Sequence, residues 1–322
     1  MRQFTAGPND DGMRLSRFVQ RVTQGLPQGA LYKAFRNRRI KRNGHRAAPD
    51  DLLATGDVLE LYLNDAYFPA VPGPRKMAPI AAPLPANAVV YEDAHIAILF
   101  KTAGLLAHSD DAGRPGLLEA FTARLATAGH YDPQQENTFA PALCNRLDRN
   151  TEGLLLAAKQ APALRDANAL LREGLIAKHY LCICTNTPPQ GLHQAFLLRQ
   201  RASHSVTIHQ QPVPGSKAIR TGITPLEAHS GLALCEVDLQ TGRTHQIRAH
   251  LAALGAPLLG DKKYGGAPAP LPGLPAQALC AWKLGFSPHI PETNCLYPLR
   301  GQSFTAKQAA LPHWWTQFTQ GN

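Results

Sequence analysis

Asp148 stands between Arg146 and Arg149, just ahead of a leucine run, in "CNRLDRNTEGLLLAAK", Cys144 to Lys159. Nearby guanidinium groups favour the charged form of a carboxylate. An ionised carboxylate can serve as nucleophile or base but is a poor general acid. In an extended segment Arg146 shares a face with Asp148, and the leucines beyond would anchor the acid at a sheet edge. Taken alone, such an R-x-D-R favours simple charge balance.

A second group of polar residues changes that weighting. In "LQTGRTHQIRAHLAALGAPLLGDKKYGG", Arg243, His245, Arg248 and His250 follow a strand-like segment directly. Arg243 and Gln246 are three apart, His245 and Arg248 also three, and Thr244 and Arg248 four. This spacing predicts a polar, cationic face at a helix start, where free N–H groups can also meet a phosphate. The competing reading is an amphipathic helix with Leu251 and Leu254 in the core and solvated arginines.

The elements that must position these residues can be read along the chain. In "MRLSRFVQRV", Leu15, Phe18, Val19 and Val22 have helical spacing, and "QGALYKAFRNRRI" predicts a second, basic helix. Asn43-Gly44 predicts a tight hairpin turn, and "GDVLELYL" alternates as a strand. Phe68 to Asn87 is rich in Pro and Ala and reads as a semi-rigid linker. Beyond it, "AVVYEDAHIAILFKTAGLLAHSD" predicts two strands and a Gly turn. "QAPALRDANALLREG" predicts a helix closed by Gly174, and "AKHYLCICT" and "LALCEVDLQTG" predict strands. "GGAPAPLPGLPAQ" reads as a surface loop, and the tail with Trp314 and Trp315 as packing back. Without regular β-α alternation, the expected class is α+β on a mainly antiparallel sheet. The expected domains are 1–67, a linker at 68–87, and 88–322.

The net charge of +10 and pI near 9.5 make a polyanion, nucleic acid first, the expected partner. Lys33, Arg36, Arg38, Arg39, Lys41, Arg42 and Arg46 form an acid-free run of seven cations across a helix and a hairpin. An isolated basic run is usually a solvated face; one crossing two elements without counter-charges favours phosphate binding. With 44% hydrophobic and 17% charged residues the chain is expected to be globular. No apolar stretch approaches a membrane span, the N-terminus lacks a secretory leader's apolar core, and a cytoplasmic protein is expected. The six cysteines form no C-x-x-C pair and read as reduced, buried thiols, Cys182 and Cys184 sharing one strand face.

"YEDAHIAILFKTAGLLAH", "NRLDRNTEGLLLAAK", "KHYLCI" and "LQTGRTHQIRAHLAALGAPLLGDKKYGG", in this order, resemble the RluA-type pseudouridine synthases. "RNRRIKRNGHRAAPDDLLATGDVLEL" resembles the S4 RNA-binding domain that precedes the catalytic domain in ribosomal large-subunit members. The resemblance implies isomerisation of RNA uridine: the N1 glycosidic bond breaks, the base turns, and C5 bonds to C1′. It implies no cofactor and no metal. It also implies that Asp148 is the catalytic aspartate, that Tyr180 stacks on the target base, and that Arg248 pairs with the acid, Arg243 being second choice. Arg146 becomes the arginine that enters the RNA stack, because a base within a helix must be flipped to be reached. Lys101, Gly104 and His108 correspond to a loop lining the site, and Arg243 and His245 to substrate-side residues.

Asn145, Asn150, Glu152, Thr102 and Cys280 depart from the family's usual His, Asp, Ser, Pro and His. The departures bear on the RNA target more than on the activity. Ribosomal RNA is expected ahead of transfer RNA, and a monomer ahead of an oligomer. Two rival classes stand beside this reading: a non-catalytic RNA-binding or ribosome-assembly protein on the same fold, and a glycosidase with a carboxylate pair, for which Glu152 is the only local second acid.

Overall fold

The Asn43-Gly44 pair, at φ 50° and 77°, makes the hairpin turn its sequence predicts. It joins β2 and β3 in a small sheet. Residues 1–69, 83–200, 205–274 and 276–321 are described in a computed structural model. Most of the expected linker, at 70–82, and Pro275 of the expected surface loop lie outside them.

The N-terminal module runs β1 (Arg2–Thr5), α1 (Leu15–Val22), α2 (Gln28–Arg36), β2 (Ile40–Arg42), β3 (His45–Arg46) and β4 (Val58–Leu61), with sheet order β1-β4-β2-β3. Leu15, Phe18, Val19 and Val22 of α1 are all buried, as their helical spacing requires, against Leu31, Ile40, Leu59 and Leu61. Strand β1 was not legible in the sequence: four residues with one apolar side chain carry too little periodicity.

The second unit contains β5 (Val89–Glu92), β6 (Ile96–Lys101), α3 (Leu117–Thr127), β7 (Ala142–Leu143), β8 (Glu152–Ala158), α4 (Ala161–Glu173) and β9 (Ile176–Cys184). It continues with β10 (Gly191–Gln200), β11 (Ser205–His209), β12 (Lys217–His229), β13 (Leu232–Leu239), α5 (Gln246–Ala253), β14 (Leu279–Phe286), β15 (Ser303–Thr305) and α6 (Ala310–Gln320). The sheet order is β11-β10-β12-β13-β9-β14-β8-β6-β5, with β7 beside β8 and β15 beside β14. Every pairing is antiparallel except β14 with β8, so the α+β expectation holds.

The run "GLLLAA" is apolar without alternation because β8 is covered on both faces. Leu154 and Leu156 meet α4 and α6 residues such as Ala167, Leu170, Trp314 and Trp315, while Leu155 and Ala157 meet Phe121 and Leu125 of α3. The Trp-bearing tail therefore does pack back, as helix α6. At the head of β8, Gly153 has φ 118°, and an added Cβ would overlap the Ala281 backbone. Only glycine lets β8 and β14 approach there.

Candidate active site

Asp148 is not on an extended strand edge as its spacing suggests. It lies in the turn before β8, where Thr151 N donates to the Asp148 carbonyl at 3.1 Å. This turn is pinned from behind. Lys101, fully buried at the end of β6, donates from Nζ to the carbonyls of Arg149 (2.7 Å), Leu105 (2.9 Å) and Thr102 (3.1 Å). Gly104 N donates to the Arg149 carbonyl and Arg149 Nε donates to the Gly104 carbonyl, both at 3.0 Å. Lys101 is therefore no substrate contact, since its three N–H groups are spent on backbone oxygens. His108 is exposed and lines no part of the cleft, so it too is displaced from its expected place.

The two arginines flanking Asp148 do not bind it. Arg149 holds Gly104, and Arg146 Nη2 reaches Thr244 Oγ1 at 3.4 Å. The acid's partner comes from a hundred residues away: Arg248 Nη1 donates to Asp148 Oδ2 at 2.8 Å. Arg248 also forks onto Asp261, Nε to Oδ2 at 2.7 Å and Nη2 to Oδ1 at 2.9 Å. Burial opposes the arginine's charge, but the carboxylates of Asp261 and Asp148 outweigh it and hold the guanidinium above its ordinary pKa. Bidentate geometry is the strong form of this contact. Asp261 is 2% exposed and was not singled out in the sequence. Its signal was an acid directly before the two lysines of "GDKKYGG".

Helix α5 begins at Gln246, later than the spacing predicts. Arg243 and Thr244 lie in the approach to it, and Gln246 faces inward, donating to the Arg220 carbonyl and Thr221 Oγ1. His245 occupies the N-cap at φ 53°, a left-handed conformation that costs a non-glycine residue about 1–2 kcal/mol. It is held there by Tyr264, whose hydroxyl is 2.8 Å from Nδ1. His245 Nε2 lies 3.7 Å from Asp148 Oδ2. Burial, with the charges of Arg248 and Lys263, keeps the imidazole below its ordinary pKa against the pull of Asp148. A neutral ring beside the carboxylate follows. Both contacts fall on Oδ2, leaving Oδ1 open.

Tyr180, on β9 opposite Val237 and Ala281, is 5% exposed and its hydroxyl bonds no protein group among the described residues. Burial, followed by the charges of Asp148 and Cys280, pushes its phenol pKa up, so it stays protonated. With Asp148, Arg146, Arg243, His245 and Arg248 it lines one cleft of about 860 Å³. That volume sits in the range of enzyme ligand sites. Cys144 lines it as well, but burial pushes that thiol up to about 12, which makes thiolate chemistry there unfavourable.

Glu152 is not a second acid in this cleft. Its carboxylate accepts from Ala310 N at 3.1 Å and Leu311 N at 3.0 Å, capping α6. The other carboxylate near Asp148, Asp261, is buried in its fork with Arg248 and does not line the cleft, so it is not placed as the second acid a glycosidase needs. Asn145, another departure, serves the backbone: its Oδ1 accepts from Leu156 N at 2.8 Å.

In the N-terminal module Lys33, Arg36, Arg38, Arg39 and Arg46 form no ion pair among the described residues. Arg42 does, with buried Asp57 at 2.7 Å, and Lys41 lies over the Tyr62 ring. The run is thus five free cations and two engaged ones. A second cleft, about 460 Å³, is lined by Tyr32, Arg36 and Arg46, with Tyr32 48% exposed.

A mixed sheet thus brings one carboxylate, one buried phenol and a doubly anchored arginine into a single cationic cleft. The family described as RNA pseudouridylate synthase matches residues 95–253, which span Lys101, Asp148, Tyr180 and Arg248. Ribosomal large subunit pseudouridine synthase C of Haemophilus influenzae is 29% identical over 273 residues, covering 82% of this chain and 79% of its own. The protein of the same description from Escherichia coli is 29% identical over 266 residues, covering 80% and 77%. Human RNA pseudouridylate synthase domain containing 4 shares the fold, with a TM-score of 0.53 at 21% identity, over 68% of this chain and 88% of that one. Residues 95–253 thus match the RNA pseudouridylate synthases, the relatives support the RluA-type branch, and the chain is an RNA-uridine isomerase.

Proposed function

We propose that the protein isomerises specific uridines of large-subunit ribosomal RNA, with Asp148 as the catalytic residue and the N-terminal module as an S4-like RNA-binding domain. The observation that carries the site assignment is the Asp148–Arg248–Asp261 set beside Tyr180 in one cleft. The relatives' description as ribosomal large-subunit enzymes supports the RNA class.

The target uridine leaves the RNA stack and enters the cleft, Arg146 taking its place in the stack. Tyr180 packs on the uracil ring and keeps water from it. Asp148 presents its open Oδ1 to the nucleotide, and Arg248 keeps that carboxylate ionised and oriented. The N1–C1′ bond breaks, the base turns, C5 bonds to C1′, and the proton lost from C5 is matched by one gained at N1. Neutral His245, beside Asp148, is placed to carry that proton. Atoms balance without a second substrate. The five free cations of the N-terminal module and the Tyr32 cleft suit phosphates and an unstacked base. One chain lines the whole cleft, which fits a monomer, and a ribosomal RNA substrate suits a cytoplasmic protein.

Asp148→Asn should abolish pseudouridine formation in large-subunit ribosomal RNA while leaving RNA affinity within about threefold, because an isosteric amide removes the reactive oxygen and little else. Full activity in that variant would overturn the assignment of Asp148. A wild-type protein that modifies transfer RNA and leaves ribosomal RNA untouched would overturn the substrate class.

A further inference from the structure

The two units of the chain keep separate apolar cores. Among the described residues, hydrogen bonds join them. Asp10, 1% exposed, accepts from Thr138 Oγ1 at 2.5 Å and from Asn137 Nδ2 at 2.8 Å, as well as from Gly7 N at 3.0 Å. Asn137 Nδ2 also donates to the Thr5 carbonyl at 2.8 Å, and Arg21 of α1 donates to the Thr138 carbonyl at 2.9 Å. Asn9 uses both ends of its amide: Oδ1 accepts from Ala161 N at 2.8 Å, and Nδ2 donates to Glu136 Oε1 at 2.6 Å. Ala161 is the first residue of α4, and the residue before it, Gln160, provides no side-chain cap. The N-terminal module therefore caps a helix of the other unit, and that helix carries Asn168 and Arg172 into the wall of the active cleft.

We propose that Asn9, Asp10 and Arg21, meeting Asn137, Thr138 and the start of α4, lock the N-terminal module in one orientation and thereby determine which uridines are selected. The basic face is then held at a set distance from Asp148, and an RNA qualifies only if a second phosphate-bearing element lies at that distance from the target. Polar interfaces between domains usually allow motion. This one differs because its donors and acceptors are matched and two of its members, Asp10 and Thr138, are buried. A slid arrangement would strip the buried Asp10 carboxylate of Thr138 and Asn137 and leave it only Gly7 N. Connection through residues 68–87 makes the docking intramolecular, so a modest interface suffices to hold it. An arm that swung freely would bind phosphates over a range of distances and add affinity without selection.

This inference rests on the RNA-isomerase reading above, and its test separates the two. Asn9→Ala/Thr138→Val removes three polar atoms of the interface, Asn9 Oδ1 and Nδ2 and Thr138 Oγ1, and leaves Asp10 and the Asp148–Arg248–Asp261 set unaltered. Wild type and variant are compared by X-ray scattering, by the uridines they modify in a full-length large-subunit ribosomal RNA transcript, and by turnover on a short stem-loop cut around one wild-type site. The variant should show a larger maximum dimension, keep stem-loop turnover within about twofold, and lose about tenfold or more of its site preference on the transcript, with new uridines modified. Thr138→Ser, which retains the hydroxyl, should behave as wild type in all three. Unchanged scattering in the double variant, or changed scattering with an unchanged site pattern, overturns the proposal. Wild-type protein that modifies nothing in the transcript overturns the ribosomal reading, and the scattering comparison then still decides the docking.

Discussion

Arg248 shares its guanidinium between two carboxylates, and the two contacts have different consequences when broken. Asp261→Asn leaves the buried fork half-satisfied and frees Arg248 to rotate, so Asp148 keeps its carboxylate but loses a positioned partner. Breaking one member of a buried charged set costs about 3–5 kcal/mol. The variant should melt several degrees lower, and its kcat should fall with KM little changed, as measured by single-turnover kinetics. An unchanged kcat would remove Asp261 from any positioning role. Lys101 makes a pH prediction. Burial lowers its pKa to about 8, against the pull of Asp148 and Glu152. A lysine depressed in the folded state binds fewer protons there than in the unfolded chain between about 8 and its ordinary 10.5. Its contribution therefore makes stability rise with pH across that window. Urea unfolding of wild type and Lys101→Met from pH 7.5 to 10.5 should show the difference between the two growing with pH. A difference independent of pH would mean that the amine titrates normally.

At the scale of elements, what the sequence revealed depended on periodicity. Helices α1 and α4 and strands β6, β8, β9 and β13 were legible, because their apolar residues recur with one clear period or run unbroken through a two-faced core. Strand β1 has too few residues to show a period, and α5 started late because His245 adopts a left-handed cap that no spacing rule anticipates. Asp148, Tyr180 and Arg248 were found through ordered motifs, whereas Asp261 and the Asn9–Asp10 contacts were not, since their partners lie 13 to 152 residues away. Lys101 and His108 were assigned by motif position, and burial in one case and exposure in the other removed them from the cleft. Glu152 illustrates the same limit: four residues from Asp148, it nonetheless turns to cap α6. Glu152→Ala should lower stability by about 1–2 kcal/mol through loss of that cap. Uridine isomerisation should persist at a temperature where the variant is folded. Calorimetry and an isomerisation assay check both halves, and loss of activity in a folded variant would return Glu152 to the chemistry.

For the whole molecule, the charge of +10 sets the strength of RNA binding, but only cations without internal partners can contribute. Arg36, Arg38 and Arg39 have none among the described residues, while Arg42 is held by Asp57, whose carboxylate also takes Ala54 N and Asn43 Nδ2. Burial works against the Asp57 charge, and these partners outweigh it, holding the carboxylate below its usual pKa. Removing one phosphate-binding cation should flatten the slope of log K against log salt by about 0.7–0.9. Replacing Arg36, Arg38 and Arg39 with Ala should therefore reduce that slope by about 2–3 with no change in folding stability. Arg42→Ala should do the reverse: an unchanged slope and a destabilised module, because Asp57 is left buried without its cation. Filter binding to one ribosomal RNA fragment at several salt concentrations, beside urea unfolding, measures both. Equal slopes in the triple variant and wild type would mean that the free cations are a solvated face and that RNA is gripped elsewhere, while a slope lowered by Arg42→Ala alone would mean that its pair with Asp57 opens when RNA binds.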